Sequence, residues 1–344
     1  MPNPARGSLT ERRLFTYLQT SYAKKTQWLV PLHWKPNFKF LFDQAYMKDI
    51  KFKQEVQYDS LEKEGEALCA GNNFTFRLLS ILSQLELRLV TVEGATGYGK
   101  TAMVHRFLKD WLRVAPRMKN STVGSVFLHC DLSSSASNRN YSNSTTSSSN
   151  SSTSSSSSRG SRNFNQQQKL DLTTVMDLFD IPDFLYDDFM WLIERYSENV
   201  VILIETDDIQ KSTRLIFKLF YKVFPYAKFL LFYRPDALTG LISSTLPKSK
   251  EYRYLMRRRL KLRIHSFDAQ QTVTLVKQTS LSSVLFQNFR DALHEHDFLC
   301  RLCSNPFLTM VVLNMFKENR GMRFLDNKLT FFRKILVAMW RRYA

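Results

Sequence analysis

The stretch "LRLVTVEGATGYGKTAMVHRFLKDW", Leu87 to Trp111, decides the reading of this chain. An apolar run ends at Val92 and a glycine-rich turn follows. From Thr101 the apolar residues Met103, Val104, Phe107, Leu108, Trp111 and Leu112 recur at three- and four-residue spacing. A short apolar run closed by a turn reads as a buried strand, and the 3.6-residue period reads as an amphipathic helix. Between them, Gly94, Ala95, Thr96, Gly97, Tyr98, Gly99, Lys100 and Thr101 fit the phosphate-loop pattern G-x-x-x-x-G-K-[ST]. The chemistry needs these residue types. Glycines let backbone N–H groups curl around phosphate oxygens with no Cβ in the way. Lys100, its stem in an open loop, places a point charge on the terminal phosphates, and Thr101 offers a hydroxyl to Mg²⁺. The helix that follows directs its positive end at the anion.

A phosphate loop works with a carboxylate at the end of a neighbouring strand. "VVILIETDDIQ" supplies Glu205, Asp207 and Asp208 after a run of apolar residues. Glu205 is the expected ligand on the Mg²⁺ side. Thr206 stands where a second, water-activating acid is expected to follow. Either the register slips by two residues, to Asp207 and Asp208, or the acidic pair is altered.

The rest of the chain places this site in an α/β fold. Further apolar runs, "GSVFLHCDL" (124–132), "NVVILIET" (199–206), "KFLLFYRP" (228–235) and "LKLRIHSF" (260–267), read as strands. Helical patterns lie between them, including an acidic one broken near Pro182 and one at 212–224. Alternating strands and helices predict a parallel sheet with helices on both faces. Asp268, three residues before Gln271, has the spacing of a capping box and opens a last, all-helical part. The expected organisation is a basic, aromatic extension at 1–60, a P-loop NTPase α/β domain at 61–267, and a smaller helical domain at 268–344. Within the extension, "WLVPLHWKPNFKFLF" has mixed periodicity and receives no assignment. Residues 133–168, "SSSASNRNYSNSTTSSSNSSTSSSSSRGSRNFNQQQ", are expected to form a disordered surface insertion, since they bury too little apolar area to offset chain entropy.

Composition limits the partners. The formal charge of +18 favours acidic surfaces and weak, non-specific contact with nucleic acid, without choosing a sequence-specific one. No apolar run approaches the length of a membrane span, and the N-terminus has no secretory h-region. Together with only four cysteines in 344 residues, this predicts a reducing compartment, cytoplasmic or nuclear. Cys300 and Cys303 have the C-x-x-C spacing, but no second Cys or His pair follows at zinc spacing, so they read as core thiols.

Five pieces follow in order: "GATGYGKT", "VILIETDDIQKST", "FLLFYRPD", "LRIHSFDAQQTVTLV" and "LCSNPFLTMVVLNMF". Over about residues 61–320 this series resembles the STAND branch of the AAA+-related P-loop NTPases, which serves signal transduction. Within that branch it is most similar to the NTPase region of soluble (type 10) adenylyl cyclases. The resemblance implies ATP and Mg²⁺ as cofactors. It implies a protein partner, or cyclase-type domains in trans. It puts Arg234, before Pro235, near the γ-phosphate, and Pro306 against the adenine. The chain departs from the family at Ser304, where glycine is usual, at the acidic pair, and in carrying no cyclase catalytic domain. The implied function is an ATP-binding regulatory module with slow ATP hydrolysis and no cyclic AMP synthesis of its own. Two alternatives stay open: an origin-recognition or initiator-type AAA+ ATPase on DNA, which the +18 charge suits, and a degenerate pseudo-NTPase scaffold.

Overall fold

A strand can be apolar along its whole length only if both of its faces are covered. Four strands among the described residues meet that condition. The computed structural model describes residues 4–29, 40–41, 52–54, 75, 78–79, 82–83, 86–114, 125–132, 172–206, 218–234, 259–277, 282–319 and 329–333. Among these residues the strands are β1 (Trp28–Leu29), β2 (Phe40–Leu41), β3 (Phe52–Gln54), β4 (Leu89–Glu93), β5 (Val126–Asp131), β6 (Val200–Glu205), β7 (Lys228–Tyr233) and β8 (Arg259–Ile264). Every residue of β6 is buried, and β4, β5 and β7 are buried at all but one end position. In β8 buried and half-buried residues alternate, as expected where one face is less covered.

The chain forms two compact units. The first holds residues 1–23, 79–93 and 108–261. Its strands lie in the order β8, β4, β7, β6, β5. The β4–β7, β7–β6 and β6–β5 ladders are parallel. Numbered along the chain from β4, the order is fifth, first, fourth, third, second. The fold is therefore α/β, with a parallel sheet covered on both faces, as the alternation of strands and helices predicts. One expectation is corrected. β7 lies between β4 and β6, so the strand that ends in Glu205 is not the neighbour of the strand that feeds the glycine-rich turn. Apolar runs reveal strands, but the crossovers between them set their order.

A helix the sequence reading left unassigned, Pro4–Gln27, belongs to this unit through its first twenty residues. Leu14, Leu18 and Tyr22 recur every four residues and are 2%, 1% and 1% exposed. The Tyr22 hydroxyl donates to the Phe127 carbonyl at 2.9 Å and accepts from the His129 N–H at 3.2 Å. Burial pushes its phenol well above the usual tyrosine range. Trp111 completes the cluster. Its indole N–H donates to the Ser125 carbonyl at 2.7 Å, its ring stacks on Phe15 and Phe127, and it meets Tyr22 edge-on. On either side of Pro182, helix 172–178 and helix Tyr186–Tyr196 place Phe179 and Phe189 against Phe220 and Phe224. This is the break the sequence predicts.

The second unit holds residues 24–78, 94–107 and 262–344. In it β1 pairs antiparallel with β2, and β3 pairs antiparallel with Leu262–Ile264 of β8. Helices Ala269–Lys277, Ser283–Glu295, Asp297–Cys303 and Pro306–Asn319 gather around Val276, Phe289, Leu299, Cys303, Val312 and Phe316. The capping box is present. The Gln271 N–H donates to Asp268 Oδ1 at 2.7 Å, and the Asp268 N–H donates to Gln271 Oε1 at 3.0 Å. Cys303 is the core thiol the sequence implies. Burial pushes it up to about 12, so it stays protonated near neutral pH. Cys300 is half-buried. The serine-rich tract at 133–168 lies outside the described residues.

Trp111 is fully buried and in contact with three aromatic rings. Trp111→Ala is therefore expected to destabilise the chain by about 3–5 kcal/mol. Urea unfolding followed by circular dichroism measures this, and a loss below about 1 kcal/mol would contradict the packing described.

Candidate functional site

The glycine-rich turn leaves β4 at Glu93 and enters helix Lys100–Val114. Gly97 has φ 82° and Gly99 φ 96°, in the left-handed region that a Cβ disfavours. Space is also short. A Cβ on Gly97 would lie 2.5 Å from Oδ1 and 2.8 Å from Nδ2 of Asn305. The Tyr98 N–H donates to the Ala95 carbonyl at 3.2 Å, which tightens the turn. The Met103 N–H donates to the Gly99 carbonyl at 2.9 Å and begins the helical ladder. The first turn of this helix contains no acidic residue, so no carboxylate of its own offsets the positive end of the dipole.

Lys100 corrects another expectation. Its stem does not lie in an open loop: the residue is 7% exposed, and Nζ donates to the carbonyls of Gly94 at 2.8 Å and Ala95 at 3.3 Å. The ammonium is folded over the start of the turn that carries it. Thr101, one residue on, is exposed. Left-handed glycines, a lysine charge over the turn and an uncompensated helix start together suit a phosphate group. Among the described residues no cluster of three or more His, Cys, Asp or Glu could hold a metal ion. A nucleotide-bound Mg²⁺ does not need such a cage, because phosphate oxygens and water supply most of its ligands.

In the first unit, Glu205 ends β6 and is 5% exposed. The sheet register pairs Glu205 with Phe232 and Phe232 with Val92, so the acid lies on the same edge of the sheet as the end of β4. Its Oε2 is 3.8 Å from His129 Nε2, beyond hydrogen-bond range. Neither ring nitrogen of buried His129 has a hydrogen-bond partner among the described residues. Thr206 follows Glu205, is buried, and its N–H donates to the Phe232 carbonyl at 3.0 Å. Asp207 and Asp208 lie outside the described residues. Arg234 directly follows β7 and is half-buried. At the end of β4, Glu93 Oε2 is 3.5 Å from the Tyr233 hydroxyl, whose pKa burial and the Glu93 charge push up to about 12.

In the second unit, Pro306 is buried and is the first residue of helix Pro306–Asn319, a position that suits its fixed φ and missing N–H. The residue before it was not among the sequence candidates, yet it reaches the glycine-rich turn. Asn305 Nδ2 donates to the Thr96 carbonyl at 2.9 Å, and Asn305 Oδ1 accepts from the N–H groups of Phe307 at 3.0 Å and Leu308 at 3.3 Å. The Phe307 N–H also lies 3.2 Å from the Gly97 carbonyl. The sequence signal was the Asn-Pro pair, which marks a helix cap but says nothing of a contact with Thr96.

No protein-family model matches the chain, and no curated protein matches it. Among solved structures, it is similar to PCH-2 from C. elegans, at 14% identity and a TM-score of 0.34, covering 81% of this chain and 73% of that one. It is also similar to a chain of the Drosophila ORC bound to DNA, at 12% identity and a TM-score of 0.37, covering 88% and 69%. The fold described above rests on strand order and turn geometry, not on these loose likenesses.

Gly97→Ala meets both obstacles at once, the left-handed φ and the Asn305 side chain. It is expected to weaken binding of a fluorescent ATP analogue at least about tenfold, the equivalent of about 1.4 kcal/mol. Equal binding by the variant and the parent protein would show that the turn does not shape the site.

Proposed function

We propose that this chain is a nucleotide-dependent regulatory module of the AAA+-related, STAND-like kind, taking ATP with Mg²⁺ at Gly94–Thr101. One observation carries the reading. A turn with two left-handed glycines and a lysine folded across it joins the first strand of a fifth-first-fourth-third-second sheet to a helix. Such a turn presents backbone N–H groups, a lysine charge and a helix N-terminus to one anion. ATP, rather than another nucleotide, comes from the sequence resemblance, as does the assignment of Pro306 to the adenine side. Thr101 and Glu205 are the proposed Mg²⁺ ligands, with Asp207 and Asp208 taking that role if the acidic register slips. Arg234 is the proposed γ-phosphate sensor.

Thr206 at the place of a water-activating acid favours slow turnover. A slow NTPase suits a switch, in which the bound nucleotide shifts the balance between two states and is released on hydrolysis. The proposed partner is a protein, or cyclase-type domains supplied in trans. A second reading, an initiator-type ATPase on DNA, is favoured by the +18 charge alone. Among the described residues no helix is long and apolar enough to cross a membrane.

The test is titration of the purified chain with fluorescent ATP and GTP analogues, with and without Mg²⁺. ATP is expected to bind, and Lys100→Met, which keeps the buried stem but removes the charge, is expected to abolish binding while leaving the circular dichroism unchanged. Phosphate release is expected to be slow and to fall further in Glu205→Gln, with no cyclic AMP formed. Equal affinity in parent and Lys100→Met would refute the phosphate-loop reading. Tight, sequence-selective DNA binding at physiological salt would favour the initiator instead.

A further inference from the structure

We infer that Asn305 is a positioning residue for the phosphate loop, one that ties the occupancy of the loop to the helix beginning at Pro306. The inference rests on the nucleotide reading above and adds to it a route by which the nucleotide is sensed.

The two ends of the Asn305 amide have different partners. Oδ1 accepts from the N–H groups of Phe307 and Leu308, which caps helix Pro306–Asn319. Nδ2 donates to the Thr96 carbonyl, 209 residues away in sequence. The next carbonyl of the loop, Gly97, accepts from the Phe307 N–H, which also serves the cap. Two successive loop carbonyls are thus held by one helix start. A trans peptide places its C=O and N–H on opposite sides, so holding the Thr96 carbonyl turns the Gly97 N–H away from Asn305. That is the orientation a phosphate-gripping donor requires. Glycine at position 97 is what lets the amide come this close, because a Cβ there would overlap it.

The helix start is itself anchored. The Phe267 N–H donates to the Ser304 carbonyl at 2.8 Å. The Thr272 and Thr309 hydroxyls both donate to the Cys303 carbonyl, at 3.0 Å and 2.7 Å. Residues 303–305 therefore follow the helices around Phe289 and Phe316 rather than moving independently. A phosphate that turns the Thr96 or Gly97 peptide disturbs the shared Phe307 donor and, through it, the cap.

Two substitutions separate capping from clamping. Asn305→Asp keeps an acceptor for the cap and places an oxygen against the Thr96 carbonyl, where a donor is required. Asn305→Ser keeps a shorter cap and loses the reach to Thr96. The experiment measures, for the full chain and both variants, the melting temperature, the affinity for a fluorescent ATP analogue with Mg²⁺, and hydrogen exchange of residues 306–319 at saturating ATP. Both variants are expected to melt close to the parent protein and to bind ATP at least about tenfold more weakly. ATP is expected to slow exchange in 306–319 in the parent protein but not in Asn305→Asp. Variants that bind ATP and protect 306–319 as the parent does would overturn the clamp and leave the phosphate loop standing. A parallel loss of melting temperature and affinity in both would make Asn305 a folding residue and also overturn it. No ATP binding by the parent protein would overturn the nucleotide reading, and the clamp with it.

Discussion

Six residues separate the end of β4 at Glu93 from the helix that starts at Lys100, and within them the backbone must reverse its polarity of contact. In the strand, every N–H and C=O serves the sheet. At the start of the helix, N–H groups have no partner within the chain's own ladder. The turn between can be this short only because Gly97 and Gly99 adopt a conformation that side chains resist, and because Lys100 folds back onto the carbonyls of Gly94 and Ala95. A helix start without an acid in its first turn, preceded by a turn that carries a lysine charge, suits an anion. The proposed chemistry follows from that constraint.

The sheet fixes the strand that leads to the turn. β4 has partners on both sides, β8 and β7, and its buried residues leave its end no freedom to follow the loop. Glu205, at the end of β6, is buried too, with His129 as a nearby polar group. The aromatic cluster of Tyr22, Trp111 and Phe127 supports the far end of the helix that starts at Lys100 and of β5.

Strands β4 to β7 were readable because buried parallel strands have to be apolar runs, and these four stand out from their turns. The loop was readable because its glycines and lysine are required at fixed spacing. Two kinds of information were not in the pattern. Helix Pro4–Gln27 buries a stripe one residue wide, Leu14, Leu18 and Tyr22, and its many polar neighbours hide that stripe from a search for a broad apolar face. Strand order, and with it the separation in the sheet between Glu205 and the end of β4, depends on crossovers that leave no local mark. Asn305 belongs with these. Its residue type announces a cap, and the contact that gives it a role joins segments 209 residues apart. Lys100 was expected in the open, since nothing local indicates that a lysine will bend over its own turn.

The central claim is that the turn grips the distal phosphates of a nucleotide rather than merely closing a strand–helix connection. Calorimetric titration of the full chain with ATP, ADP and AMP, in Mg²⁺, tests it directly. Each charge-assisted hydrogen bond to a phosphate contributes about 1.5–3 kcal/mol. Loss of both distal phosphates should therefore weaken binding at least about a hundredfold. The account predicts that ATP and ADP bind and that AMP binds far more weakly. Equal affinity for AMP and ATP, or no binding of any of the three, would contradict it.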